Sequence, residues 1–477
     1  MKKYLTPLLL LIPTALLAAP EDTEQQLRHV AKPTAPQAKM PNLPVMKTEK
    51  KVIDITEQQL KQNPQLTHQL LTDALYSRNI DAIELLLPIY QSFPHHDSIL
   101  VEFAQGKMAM YQDNNSQAIK HFRSILAKQP DLNVVRIDLA IALFNAQQNN
   151  AAEDQFNKAK AVENLPAPVR HLIEAYLASL KKRNSWQFGA SAYYLRDNNV
   201  NNTSSSPEIE NTGYVKGEDM LPQKAHGVAY SADLSRDFNL INAHYLAFEN
   251  NLYGKLYWDS RENDEITNRT LLGYAYKNPD FTFRLLPFFE KNWVGNHRHR
   301  NIRGVRTEFS YWLSPHWQIS TAAEYGKQRY YQNTVRNGDN KLLSTTLLWL
   351  RTPQQFFYLG ADFNREKTQL RQFNSDTKSL RLGWGQEWKL WGISSRLGGS
   401  ITQRNYKDMA KLGGFLNLGK VREDKAYSLN LTLWKRDWHL WGITPKLQMS
   451  WRKNDSNLPT LYSYTDKNIN LVFERKF

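Results

Sequence analysis

The sequence predicts two domains: an all-α domain of tetratricopeptide (TPR) repeats, then an antiparallel transmembrane β-barrel of about 14 strands. All 13 tryptophans lie at or after Trp186, so the composition changes near that residue. Up to about residue 183 the small and aromatic residues recur at helical repeat spacing, and from Asn184 onward the apolar residues recur at every second position. The predicted divisions are a signal peptide at 1–19, a flexible linker at 20–64, the repeats at 65–183 and the barrel at 184–477.

The charge of the chain is strongly basic, and its two parts share that charge unequally. The formal net charge is +15, of which +3 lies in residues 1–183 and +12 in residues 184–477. A basic balance suggests nucleic acid when Lys and Arg are clustered. In the second part they stand singly among alternating aromatic residues, and the one dense run is Asn296–Arg300. We therefore predict no nucleic-acid partner.

The first twenty residues have the layout of a secretory signal. Lys2 and Lys3 precede an apolar run at 8–17, and the small residues Ala18 and Ala19 follow it. We expect cleavage after one of these alanines to release the mature chain outside the cytoplasm. The chain has no cysteine, which excludes disulfides and a lipid-modified N-terminus. No other stretch offers the roughly 18 uncharged apolar residues of a membrane helix, so we expect strands to cross the membrane.

Residues 20–60 are rich in Pro, Lys, Gln and Glu without a sustained period, which predicts a mobile linker that can include one short helix.

Beyond the linker, two spacings between similar residues indicate helical repeats. Ala82 and Leu86 recur 36 residues later, and Gly106 recurs 34 residues later as Ala140. A helical bundle with accidental spacing is the alternative, but two registers favour repeats of the tetratricopeptide period. The predicted packing positions are Ala82, Gly106, Ala118, Phe122, Ala140, Ala152 and Phe156. Such a stack presents a concave surface that holds a polypeptide.

In the second part of the chain, apolar residues alternate with polar or small ones. The stretches 186–194, 380–388 and 427–433 each place Leu, Trp, Tyr or Phe on one face and Gly, Ser, Asn or Arg on the other. This pattern is typical of a barrel with lipid outside and water inside. Short connections at 278–280, 314–316 and 352–355 alternate with long polar ones at 197–224, 331–340 and 407–419. Short turns belong on the periplasmic side, which places the repeats in the periplasm.

The last stretch, NINLVFERKF, predicts the strand that closes the barrel. Its apolar face consists of Ile469, Leu471, Phe473 and Phe477. We expect it to pair with SWQFGASAYYL, the strand that begins at Ser185, because an open sheet edge is not tolerated in lipid. Its terminal aromatic also resembles the signal that the outer-membrane assembly machinery recognises. Arg475 lies on the same face and can reach the headgroups.

Tryptophans near the ends of the predicted strands fit the aromatic girdles of an outer-membrane barrel. They are Trp312, Trp317, Trp438 and Trp441.

The sequence offers no strong catalytic or metal motif. Gly414–Val421 nearly matches a phosphate-binding loop, but Val421 stands where Ser or Thr would hold magnesium. His95 and His96 form one close histidine group, and His297 with His299 forms the other; neither has supporting carboxylate clusters, and the latter lies among arginines that repel a cation. The motifs G-x-S-x-G and H-E-x-x-H are absent. We predict no enzyme activity, no cofactor and no metal, with a barrel hydrolase as a minor alternative.

The domain order and four segments resemble the surface lipoprotein assembly modulator (Slam) family. The segments are LYWDSRENDEITNRTLLGYAY, RLLPFFEKNWVG, RGVRTEFSYWLSPHWQISTAAEYGKQRYY and YTDKNINLVFERKF. The resemblance covers most of residues 65–477. It implies an outer-membrane translocon that carries surface lipoproteins or haemophore-like proteins, often for host iron or haem capture, from periplasm to cell surface. It supplies no catalytic residue, and the substrate-binding residues are unknown.

The expected partners are the client protein, a periplasmic chaperone, the barrel assembly machinery and the lipid bilayer. A barrel of about 14 strands is too narrow for a folded domain. The client must therefore cross extended, or the barrel must open where the terminal strand meets the strand from Ser185. The leading alternative is a polysaccharide exporter, which also joins TPR repeats to a barrel. A passive nutrient porin is third, because it leaves the repeats unexplained.

Overall fold

The computed structural model describes residues 29–33, 40, 55–210 and 212–476, and the expected signal peptide at 1–19 lies outside these residues. Within them the chain forms nine α-helices and sixteen β-strands. The helices are α1 (Glu57–Gln62), α2 (Pro64–Ser77), α3 (Ile80–Gln91), α4 (Ser98–Tyr111), α5 (Asn115–Lys128), α6 (Asn133–Asn145), α7 (Asn149–Lys160), α8 (Ala167–Arg183) and the short α9 (Pro459–Tyr462).

Helices α2 to α7 form three antiparallel pairs, and local sequence explains where each pair turns. Arg78, Asp113 and Gln147 follow the first helix of each pair, and all three have a φ between 57° and 59°. A left-handed residue ends a helix and reverses the chain. Asn79 and Asn114 then cap the next helix by accepting hydrogen bonds from the backbone N–H of the third residue on, at 3.2 Å. The turns therefore repeat with the period that the packing residues predicted.

The predicted packing positions lie in the helical core. Ala118, Phe122, Ala140, Ala152 and Phe156 are fully buried, Gly106 is buried, and Ala82 is partly buried. The ring of Phe122 lies directly against Gly106, where an added Cβ would stand 2.5 Å from Phe122 Cε1. The small residue in α4 thus admits the aromatic residue of α5. The contact joins the two helices of one pair.

Replacing Gly106 with alanine should destabilise the helical domain by about 1–3 kcal/mol, because the new methyl group collides with the Phe122 ring. Helix propensity alone would stabilise the variant by roughly 0.5–1 kcal/mol, so steric crowding decides the sign. The measurement is thermal unfolding of the full-length protein in detergent, followed by helical circular dichroism. Adding Phe122→Leu should recover part of the loss. An unchanged or higher midpoint for Gly106→Ala contradicts the wedge.

Fourteen of the sixteen strands form one closed antiparallel barrel among the described residues. They are β1 (Gln187–Asp197), β4 (Ala225–Ile241), β5 (His244–Tyr257), β6 (Glu265–Lys277), β7 (Phe281–Val294), β8 (His297–Ser314), β9 (Trp317–Tyr330), β10 (Gly338–Thr352), β11 (Gln355–Thr368), β12 (Ser375–Glu387), β13 (Ile393–Leu412), β14 (Leu416–Lys435), β15 (Ile443–Ser456) and β16 (Tyr464–Lys476). The short strands β2 (Glu208–Ile209) and β3 (Tyr214–Val215) pair within the loop after β1. The predicted order of a helical repeat domain and a fourteen-stranded barrel is confirmed.

The barrel exterior is apolar because the two-residue period alternates its faces. Leu343 and Leu382 are 51% and 57% exposed on the outside, whereas the neighbouring Ser344 and Arg381 point inward and are 0% and 9% exposed. An even-stranded closed barrel with this exterior is an outer-membrane barrel. Among residues 29–33, 40, 55–210 and 212–476, the helices include none that is both long and apolar enough to span a bilayer.

The two ends of the barrel differ. We call the end that carries the β4–β5 turn the helical end, and the end that carries the β1–β4 loop the distal end. Tight turns at 278–280, 315–316 and 353–354 lie at the helical end, as predicted. The prediction of a long loop at 407–419 was wrong: β13 and β14 extend to Leu412 and Leu416 and form a long hairpin. Its strands lack a lipid-facing pattern, so the sequence resembled a loop.

Tryptophan side chains are concentrated at the helical end. Trp438 and Trp317 are 61% and 38% exposed there. Two turns share the sequence Leu-Trp-Gly, and in both of them Trp391 or Trp441 adopts a positive φ and leaves its ring largely exposed. For Trp317, Trp438 and Trp441 this placement fits the predicted aromatic girdle. The same prediction was wrong for Trp312, which lines the cavity inside the barrel because it alternates with the exposed Tyr311 and Leu313 on β8. The repeated Leu-Trp-Gly turn itself was not predicted.

Candidate functional site

One wall of the bore, the polar interior of the barrel, is cross-linked by ion pairs. Arg269 on β6 is buried and bonds to Glu290 at 3.1 Å and Glu324 at 2.7 Å. Arg306 on β8 also pairs with Glu324, at 3.2 Å, and with Glu308 at 2.6 Å. Charge-assisted hydrogen bonds of this kind are strong and directional. The side chains on β6 to β9 therefore form a fixed charged network.

The opposite wall, on β12 to β16 and β1, combines small polar side chains with ion pairs of its own, including Arg422 with Asp424 at 2.7 Å and Lys446 with Glu474 at 2.5 Å. Ser400 and Ser428 meet across β13 and β14 with their Oγ atoms 2.7 Å apart. Ser191 on β1 contacts Ser231 on β4 in the same way, at 2.8 Å. Hydroxyl pairs hold less firmly than guanidinium–carboxylate pairs. The opposite wall therefore carries both kinds of contact.

Residues 29–33 lie inside the bore. Arg306 donates a hydrogen bond to the carbonyl of His29 at 2.7 Å. The N–H of Ala31 donates to Ser344 Oγ at 2.8 Å, and Thr346 donates to the Ala31 carbonyl at 2.8 Å. Val30 and Ala31 are 8% and 4% exposed. These residues belong to the stretch 20–64 that was expected to be a flexible linker, and their binding to the wall was not predicted.

A second layer of polar groups fixes the side chains that hold this segment. Ser344 donates to Asp362 at 2.5 Å, and Arg381 bonds to Asp362 at 2.6 Å. Arg381 also donates to Thr346 Oγ1 at 3.0 Å. Its guanidinium lies against Gly360, where a Cβ would be 2.5 Å from Arg381 Nη2. Arg381 therefore orients both hydroxyls, and the absence of a side chain at Gly360 admits it.

A cavity of about 760 Å³ joins the bore to the helical domain. Its lining includes Lys182 and Arg183 from α8, Tyr245 from β5, and residues 29–33. Tyr245 donates its hydroxyl hydrogen to the carbonyl of Gln147 at 2.5 Å. The last helix pair is thus seated on the rim of the barrel, and the cavity leads from it into the bore.

Two further contacts fix this junction. Asn150 bonds twice to Asn239 in β4, with both distances 2.9 Å. Arg183 donates to the carbonyl of Phe144 at 3.0 Å and stacks 3.6 Å above the Phe144 ring. Burial lowers the pKa of Arg183 to about 10, which leaves the guanidinium charged at neutral pH. The charge therefore remains at the mouth of the cavity.

The ladder that closes the barrel is short. It runs from Gly189↔Lys476 to Tyr193↔Val472 among the described residues. On the other side of each strand the ladders continue further toward the distal end, to Asp197↔Ala225 between β1 and β4 and to Asn454↔Tyr464 between β15 and β16. We call the β1–β16 junction the seam. Closure by the terminal strand is thus observed, but over only part of its length.

The side chains of the closing strand face as the alternation predicts. Ile469, Leu471 and Phe473 are 72%, 51% and 48% exposed on the outer face. Phe477 lies outside the described residues. Their neighbours Asn468 and Asn470 belong to the opposite, inward face of the strand.

An apolar cluster covers the distal end beside the seam. Ile209 and Met220 come from the β1–β4 loop, Leu412 and Leu418 from the β13–β14 hairpin, and Leu461 from α9. Backbone hydrogen bonds join the same parts, including Ser204 N–H to the Leu461 carbonyl at 3.1 Å. We call this cluster the distal lid. Sequence reasoning missed it because its members come from three separate loops.

The other candidate residues lie in separate parts of the fold. Gly414–Val421 lies on the β13–β14 hairpin, so no helix N-terminus follows it. His95 and His96 lie between α3 and α4, whereas His297 begins β8 at the distal end. Within the part of the chain that the structure describes, no group of three His, Asp or Glu side chains is placed to hold a metal ion.

Comparison with known proteins gives matches over both domains. A family model described as surface lipoprotein assembly modifier matches residues 186–477. A second, described as the N-terminal TPR repeats of surface lipoprotein assembly modifier, matches residues 53–156. The two models together cover the helical repeats and the barrel.

Three relatives match along most of their length. A Pasteurella multocida protein named surface lipoprotein assembly modifier is 35% identical, covering 92% of this chain and 88% of its own. A Haemophilus influenzae protein named surface lipoprotein assembly modifier 1 is 36% identical, covering 95% and 93%. An Acinetobacter baumannii protein named hemophilin secretion modulator is 27% identical and matches over the full length of both chains.

Proposed function

This chain belongs to the surface lipoprotein assembly modifier family, and on that premise we propose that it carries selected proteins across the outer membrane to the cell surface. The proposed clients are surface lipoproteins or haemophore-like proteins, since relatives are named for lipoprotein assembly and for hemophilin secretion. One structural observation carries the proposal: the cavity that joins the helical repeats to a bore already able to hold extended polypeptide. Polysaccharide export is not favoured, because none of these names points to a polymer. We propose no catalytic step.

The helical domain lies in the periplasm in this proposal. Two features support that placement: an even strand number returns both barrel ends to one side, and the short turns belong to the helical end. In the periplasm, the repeats would receive the client from a periplasmic chaperone. The client then enters the bore through the cavity beside Arg183 and Tyr245.

The seam is the proposed exit for the client. Its ladder stops at Tyr193↔Val472, so fewer backbone hydrogen bonds hold this junction than hold its neighbours. The distal lid lies next to it and must move when the client leaves. The terminal strand, with Ile469, Leu471, Phe473 and Phe477 on one face, is also the proposed signal for the barrel assembly machinery.

Removing the helical domain should abolish delivery without removing the barrel. The variant deletes Glu57–Arg183, and the clients tested are the candidate surface lipoproteins and haemophore-like proteins of the same genome. Intact cells are probed with client antibody, and heat-modifiable migration reports barrel insertion. We expect client display with the unaltered chain and its loss with the deletion. A client that reaches the surface equally without any copy of this chain overturns the proposed function.

A point substitution tests the contact between the helical domain and the barrel without deleting the helices. Tyr245→Phe removes the hydroxyl that bonds to Gln147 and leaves the ring in place. Tyr257→Phe, which removes a hydroxyl that bonds to Asp197 at 3.0 Å at the distal end of the same strand, serves as the matched control. Each variant loses one hydrogen bond worth about 1 kcal/mol net, but we expect display to fall more with Tyr245→Phe, because of the two only Tyr245 joins the barrel to the helical domain.

A further inference from the structure

Three of the hydrogen bonds that hold residues 29–33 are made to main chain, and the His29 imidazole also lies 3.5 Å from Glu290. Arg306 and Thr346 donate to backbone carbonyls of the segment, and Ser344 Oγ accepts from the Ala31 N–H. Ser344 and Thr346 are two residues apart on β10 and together satisfy both the N–H and the C=O of Ala31. This is the pattern by which a strand edge binds an extended peptide, with side chains in place of the edge. The three main-chain hydrogen bonds place little restriction on the sequence they bind.

The residues of this site are held ready whether or not the segment is present. Arg381 and Asp362 orient both hydroxyls, and Ser344 and Thr346 are 0% and 1% exposed. Ser344 donates to Asp362 and Thr346 accepts from Arg381 independently of the segment, so both hydroxyls stay oriented when it leaves. The side chains facing the wall, Val30 and Ala31, are small. A polypeptide with small residues at the corresponding positions would make the same contacts.

The position of the site matches the proposed route. In the ring of fourteen strands, β9 and β10 are diametrically opposite the seam between β1 and β16. The cavity from the helical domain is lined by residues 29–33 themselves. The segment therefore occupies the volume that a client must enter. A client and this segment cannot both bind the same hydroxyls.

We propose that Arg306, Ser344 and Thr346 form a binding site for extended polypeptide, the bore site, and that residues 29–33 are its resting occupant, displaced by a client during export. This inference rests on the proposed function. The segment stays near after displacement, because Met40 packs against the core of the helical domain. A tethered segment rebinds at high effective concentration once the client has left. The same contacts thus close the bore at rest and hold the client in transit.

A disulfide between Ala31→Cys and Ser344→Cys tests both parts. The Ala31 N atom lies 2.8 Å from Ser344 Oγ, and the chain has no other cysteine to interfere. In cells without client we expect the disulfide to form in full-length, membrane-inserted protein. With client, we expect the oxidised variant to display less client than the same variant kept reduced in dithiothreitol, a comparison that separates the effect of the disulfide from the loss of the Ser344 hydroxyl. Client expression should also lower the yield of the disulfide.

The control lock joins Ser310→Cys to Ser320→Cys, whose Oγ atoms are 3.0 Å apart on neighbouring strands of the same bore. It leaves the segment free, so display should persist under oxidation. If Ala31→Cys/Ser344→Cys does not insert, Ala31→Cys/Thr346→Cys takes its place. Failure of both inserted pairs to form a disulfide overturns the resting contact, and normal display by the oxidised protein overturns displacement. Absence of display by the unaltered chain instead overturns the proposed function, while disulfide formation at rest still reports on the segment.

Discussion

A disulfide that joins β1 to β16 through Ser191→Cys and Glu474→Cys is expected to abolish client display while the barrel remains inserted. The two residues are paired in the seam ladder. The ladder is short there, so fewer backbone groups lose their partners in the membrane, where each unpaired group costs several kcal/mol. Parting these strands therefore costs less than parting any neighbouring pair with a longer ladder. A covalent bond removes that option.

A matched control uses the same residue of β1. Ser191 is also paired with Ser231 on β4, and their Oγ atoms are 2.8 Å apart. Ser191→Cys/Ser231→Cys locks a junction that is not expected to open, so display should continue under oxidation. Glu474→Cys alone controls for the loss of its ion pair with Lys446. Surface antibody labelling with and without dithiothreitol gives the result.

The seam proposal makes a prediction that a route along the bore axis does not. If both locked proteins display the client equally, the strands stay together during export and the client leaves through the distal end. If the seam lock and the control lock both lose client display, any disulfide between neighbouring strands of the barrel blocks export. Loss with the seam lock alone supports lateral exit. In that case the distal lid beside the seam, including Met220 and Leu461, becomes the next element to lock.

The features that the sequence predicted are those with a local period. Alternation over two residues predicted which side of β12 carries Leu382 and which carries Arg381, because burial in lipid or water depends only on the face. Spacing of 34 residues predicted the Gly106 and Phe122 positions, since each repeat packs on its neighbour. Strand alternation depends on neighbouring residues, and the repeat spacing depends on contacts between similar units. Both patterns can therefore be recognised in the sequence alone.

The bore site has no such local signal. Ala31 and Ser344 are 313 residues apart, and Val30-Ala31 lies in a stretch of linker-like composition. The site recognises backbone, so the side chains of the segment need no particular pattern. The left-handed turns at Arg78, Asp113 and Gln147 were missed for a related reason: none of them is glycine, the residue that normally indicates a positive φ. Tertiary contacts decide these features.

The extent of the seam could not be predicted either. Apolar alternation indicated that β16 closes the barrel, but the length of a ladder depends on how far two strands remain adjacent. β16 follows β15 up to Tyr464, whereas β1 follows β4 up to Asp197. The separation of β1 from β16 beyond Tyr193↔Val472 depends on how all fourteen strands are arranged in the barrel. The alternation in the sequence predicts which face of each strand is apolar, but it does not predict this separation.

Lys107→Met is expected to destabilise the helical domain by about 3–5 kcal/mol, the largest effect of any single change proposed for it. Lys107 on α4 bonds to both oxygens of Asp138 on α6 at 2.9 Å. The two side chains are 6% and 0% exposed. Removing the ammonium group leaves a carboxylate buried without its counter-charge. A loss of that size is a large fraction of the total stability of a domain.

The double variant Lys107→Met/Asp138→Leu separates the loss of the pair from the loss of its packing. Apolar residues of similar volume replace a buried ion pair at little cost, so the double variant should unfold near the unaltered protein. Helical circular dichroism of the full-length protein in detergent follows this transition, while the barrel keeps its strand signal. Equal destabilisation by the single and double variants would show that Lys107 matters for contacts with Phe103 and Tyr111, whose rings lie within 6 Å of its Nζ. A single variant less stable than the double variant would show that the loss comes from the unpaired Asp138 carboxylate. We expect this result because the face where the helix pairs meet excludes the water that an isolated carboxylate needs.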